Sequence, residues 1–86
     1  MRIQGAVIKE QGQTFAIVVV KPRVLRSQTA VAEAIAAFEP VFGGVPIVLM
    51  AQDSKGRPTY YGRRDIASFM AKVPIYSVPW KEYSIS

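Results

Sequence analysis

The 86-residue sequence contains no cysteine and no histidine. Without cysteine there can be no disulfide, no thiolate nucleophile, no iron–sulfur cluster and no cysteine-ligated zinc, and the chain carries no mark of a redox compartment. Without histidine, imidazole acid–base work near neutral pH, the Ser-His-Asp relay and imidazole metal sites are excluded. Acids are scarce and scattered: Glu10, Glu33, Glu39, Asp53, Asp65 and Glu82. No two of them stand at a spacing suited to a divalent cation or to a general acid paired with a base. The glycines form neither G-x-G-x-x-G nor a P-loop, so no nucleotide fingerprint is present.

Long hydrophobic runs are missing too. The longest, Phe15 to Val20, is far short of the roughly 20 residues needed to cross a bilayer, and the start MRIQGAVIK lacks the basic opening and long apolar core of a signal peptide. The expectation is a soluble cytoplasmic protein that does not insert into membranes, has no catalytic activity and needs no metal or cofactor.

What the chain does hold is apolar matter spread evenly. Hydrophobic residues make up 50% of it and charged residues 20%, the balance of a folded domain rather than a disordered tail. Residues 1–86 read as one domain, with residues 79–86 as a C-terminal arm. A chain of this size buries only about 60–65% of its unfolded surface, which argues against a large enclosed active site.

Arg2–Glu10 and Gln13–Lys21 read as two strands around the tight connection Gln11-Gly12. The second strand is apolar at six successive positions, so both of its faces should be buried. Pro22 ends it, and Ser27 is placed to cap a helix through QTAVAEAIAAFEPVF, which Pro40 should break near Phe38. Val45–Gln52 is again continuously apolar and reads as a central strand. Asp53-Ser54-Lys55-Gly56 has the composition of a type I turn, and RPTYYG returns as an edge strand, marked by Pro58. A second helix follows over Arg63–Lys72, with Ile66, Phe69, Met70 and Val73 on one face, and Ile75–Val78 reads as a last short strand.

The fold class is thus α+β: order ββαββαβ, two ββα-like units, a mainly antiparallel five-stranded sheet and two helices on one face. That arrangement leaves the other face bare, and a second copy of the chain is the simplest cover, which makes a homodimer the expected partner and Phe15, Ile17, Val19 and Trp80 its candidate interface. The leading functional expectation is a non-enzymatic binding or interaction module.

The alternative rests on charge. Net charge is +5, which favours anionic partners. Lys55, Arg57, Tyr60, Tyr61, Arg63 and Arg64 place four cations and two aromatics between a turn and a helix start, where acids are normally preferred. Arginine forks and a base-stacking tyrosine would suit a nucleic acid or another polyanion. Against this, Asp65 could satisfy the helix start and pair with an arginine. A secondary basic group, Lys21, Arg23 and Arg26, precedes the first helix, and the two groups would form one strip if the units were related by symmetry.

Overall fold

In the computed structural model, which describes residues 2–10 and 12–84, β1 (Arg2–Glu10) and β2 (Gln13–Val19) form an antiparallel pair. Residue Gln11 of the connection lies outside the described residues. A 3-10 turn, Pro22–Arg26, leads into α1 (Gln28–Phe38), a second 3-10 turn (Glu39–Phe42) and β3 (Ile47–Gln52). β3 runs parallel to β2. β4 (Pro58–Tyr61) returns antiparallel beside β3, then come α2 (Arg64–Met70), a 3-10 turn at Ile75–Ser77 and β5 (Lys81–Ser84), antiparallel to β1. The sheet order is β4-β3-β2-β1-β5. Five strands and two helices agree with the expected class, and three of the four pairings are antiparallel.

Local chemistry explains the elements. The Ser27 hydroxyl accepts a hydrogen bond from the Ala30 N–H at 3.2 Å, capping α1. Pro40 ends the regular helix as expected, the chain tightening to a 3-10 turn and leaving through Gly43 at φ 71°. In the β3–β4 connection, the Gly56 N–H donates to the Asp53 carbonyl at 3.0 Å, closing the turn.

β2 shows why the sheet is buried on both sides. Phe15, Ala16, Ile17 and Val18 are 2%, 0%, 0% and 0% exposed, and successive side chains point to opposite faces. Ala16 and Val18 pack with Ile47, Leu49, Val31 and Phe38 beneath α1. Phe15 and Ile17 pack with Val48, Met50, Ile66 and Met70 beneath α2. The two helices therefore lie on opposite faces, not together on one. The reason is chain direction. α1 must ride over one face to return the chain to a parallel neighbour, whereas the β3–β4 hairpin reverses it, so α2 starts from the other end of the sheet and buries its apolar side on the face α1 leaves free.

Two further expectations change. Ile75–Val78 is a 3-10 turn and its exit rather than a strand. The last strand instead lies inside the C-terminal arm, where Tyr83 pairs with Ile3 and its ring meets that of Phe42 edge-on at 4.8 Å. Gly5 permits this: a Cβ there would stand 2.8 Å from the Ile17 carbonyl oxygen and 3.2 Å from the Phe42 ring. Among the described residues, no helix is long and apolar enough to cross a membrane.

Candidate functional site

Strand direction separates the basic residues that lie close in sequence. β2 and β3 are parallel and end together, and the Asp53–Arg57 turn sits at that end, which we call the exit end. β4 then runs back, so Arg63 and Arg64 emerge at the opposite end, beside the start of β3. The Gly62 backbone there is close to the Ile47 carbonyl. Lys55 and Arg57 are thus parted from Arg63 and Arg64 by the length of β4.

The same geometry joins two groups that are distant in sequence. Lys21, Arg23 and Arg26 leave the end of β2 on the 3-10 turn, beside the β3–β4 turn, and Pro22 and Leu25 share a small cleft of about 130 Å³ with Asp53 and Thr59. Arg2 belongs here as well, since β1 runs antiparallel to β2 and begins where β2 ends. It was not among the candidates read from the sequence. Only the strand pairing, which no local pattern encodes, could have placed it there.

Charges are unevenly distributed between the ends. Arg2, Lys21, Arg23, Arg26, Lys55 and Arg57 lie toward the exit end, against three acids, Asp53, Glu82 beside Arg2, and Glu33 near Lys21. At the opposite end Lys9, Arg63 and Arg64 are matched by Glu10, Glu39 and Asp65. α1 also begins at the exit end, without an acidic residue in its first turn, so the positive end of its dipole adds to the field.

Ion pairs occur at both ends. Arg63 donates to Asp65 at 2.8 Å, which supplies the compensation that the acid-poor helix start needs. Desolvation is the largest single influence on the Asp65 carboxyl and pushes its pKa up, but the Arg63 hydrogen bond and charge together with the backbone N–H groups of Ile66 and Asp65 outweigh it and leave the pKa below the ordinary value. Arg57 meets Asp53 at 3.0 Å, and Arg2 meets Glu82 at 3.3 Å with both side chains exposed, a contact of little energetic weight. Among the described residues, Lys21, Arg23, Arg26 and Lys55 form no ion pair.

The tyrosines do not make a joint stacking platform. Tyr60 pairs with Met50 and Tyr61 with Leu49, which sends the rings to opposite faces. Tyr60 is half-buried against the core cluster under α2, where burial raises its pKa and its hydroxyl has no partner among the described residues. Tyr61 is 45% exposed.

The candidate interface residues Phe15 and Ile17 are enclosed under α2, Val19 packs against the same cluster, and Trp80 is half-buried there with its indole N–H donating to the Ile75 carbonyl at 2.9 Å. Their apolar area is spent within the chain. Comparison with known proteins returned no matching family model, no similar curated protein and no matching solved structure.

Proposed function

We propose that the chain is a small binding module without catalytic machinery, whose ligand is the phosphate backbone of a nucleic acid held at the exit end of the sheet. The observation that carries this reading is the segregation of charge. Six cations from three separate segments lie toward one end against three acids, Asp53, Glu33 and Glu82, whereas at the other end Lys9, Arg63 and Arg64 are matched by Glu10, Glu39 and Asp65. Four of those cations have no ion-pair partner among the described residues, so they can exchange counterions for phosphates without first breaking internal contacts. With Tyr60 half-buried against the core and Tyr61 on the opposite face, the reading is one of backbone contact rather than base stacking or sequence readout.

The test is fluorescence anisotropy of a labelled oligonucleotide as salt is raised. Binding should weaken linearly on a log–log plot, and Arg23→Ala/Arg26→Ala should lower that slope by about 2 and weaken all sequences alike. Arg63→Ala/Arg64→Ala, at the balanced end, should leave the slope unchanged. Absence of binding at low salt, or a loss confined to the Arg63/Arg64 variant, would overturn the assignment.

A further inference from the structure

A groove of about 590 Å³ lies between α1 and the N-terminal half of β1 and reaches the basic 3-10 turn at Lys21 and Val24. Small-molecule sites typically span roughly 300–1,000 Å³ and are mostly apolar with a few placed polar groups. Its floor and walls are apolar: Ile3 and Val20 from the sheet, Val24 from the 3-10 turn, Ala34 and Phe38 from α1. The groove exists because of a pattern in α1. Val31 and Phe38 point into the core, while Ala30, Ala34 and Ala37, spaced four and three apart, face β1 with single methyl groups and leave space between helix and strand.

Charge selects the occupant. Arg2 and Lys21 line the groove from adjoining strand ends, against one acid, Glu33, on the helix. Among the described residues, Lys21 has no ion-pair partner and Arg2 has one exposed contact, to Glu82. We propose that this groove binds a small amphiphilic anion, an alkyl carboxylate, with its chain on the apolar floor and its head group at Lys21 and Arg2. An uncharged alkyl ligand would gain the floor but not the charged hydrogen bonds, and an alkylammonium would meet two like charges. The groove shares Lys21 and Arg2 with the proposed nucleic-acid surface but also needs the open space beside Ala34, which that surface does not use, so filling that space separates the two.

Calorimetric titration of the full chain with decanoate, decanol and decyltrimethylammonium tests the proposal. Decanoate should bind about tenfold more tightly than decanol, the margin expected of one charge-assisted hydrogen bond, and the cation should not bind. Ala34→Leu should fill the groove and abolish decanoate binding while oligonucleotide binding persists. If Ala34→Leu does not fold, Ala37→Leu, at an exposed position on the same side of the helix, serves in its place. Lys21→Gln should bring decanoate down to the affinity of decanol. Equal affinity for decanoate and decanol, undiminished binding in the filled variant, no binding at all, or a dimer that decanoate fails to dissociate would each overturn the proposal, the last by giving the groove to a second copy.

Discussion

At the scale of single residues, Asp53 does more than its place in a turn requires. Its carboxylate accepts hydrogen bonds from the backbone N–H of Arg57 at 2.9 Å and of Lys55 at 2.8 Å, and from the Arg57 side chain at 3.0 Å. The Arg57 backbone bond is the largest influence, and together these bonds hold the pKa below the ordinary carboxylate value despite slight desolvation. A depressed pKa means that the folded state prefers the ionised form. The associated stability is present above the unfolded carboxyl's pKa and is lost as pH falls through the lower folded value. Thermal melts of wild type and Asp53→Asn should therefore differ most near neutral pH and converge as pH falls below the ordinary carboxylate pKa of about 4. A gap that stays constant with pH would show that the charge contributes nothing. The sequence exposes this residue plainly, because an Asx turn involves only neighbours four positions apart.

At the scale of elements, legibility follows how local the cause is. Ser27 and Pro40 bound α1 as read, since caps and proline stops act within a turn of helix. The segment Ile75–Val78 misleads because four mostly apolar residues fit a short strand. Pro74 and Pro79 flank it, though, without N–H groups for a ladder, and the inward residues, Ile75 and Val78, stand three apart, the period of a 3-10 turn. Tyr76 between them is 86% exposed. β5 stays hidden in the sequence for the opposite reason: on a four-residue edge strand, Tyr83 alone packs inward, too few residues for alternation to register. Trp80 ties these pieces together through its bond to the Ile75 carbonyl. Trp80→Phe keeps most of the ring's packing but strands that carbonyl. It should lower unfolding free energy by about 1–2 kcal/mol with an unchanged denaturant m-value. A loss within error of zero would mean that water replaces the indole.

At the scale of the whole molecule, the placement of α2 bears on self-association. The case for a homodimer rested on a bare sheet face, and α2 with Val78 and Trp80 covers that face. The sheet edges offer little instead. β4 carries Pro58, which lacks a ladder donor, and β5 carries Lys81 and Glu82, all features that discourage strand pairing between copies. Sedimentation at micromolar concentration should give a monomer. A stable dimer would restore self-association and locate it at a surface other than the two sheet faces. The basic cluster from Lys55 to Arg64 changes at this scale too. Its four cations are adjacent in sequence but divided by β4, and half of them join a group read from the sequence as secondary.

The sequence by itself determined the kinds of element, their caps and turns, the two-sided burial of β2 and β3, and the chemistries that a chain without cysteine or histidine cannot perform. Each of these depends on composition or on residues within a few positions of one another. The tertiary structure decided which face each helix covers and which cations share an end. Both follow from the parallel pairing of β2 with β3 and the reversal at β4. Strand direction relative to a distant neighbour is set by hydrogen bonds between segments, and the apolar pattern of either strand is the same whichever way its partner runs.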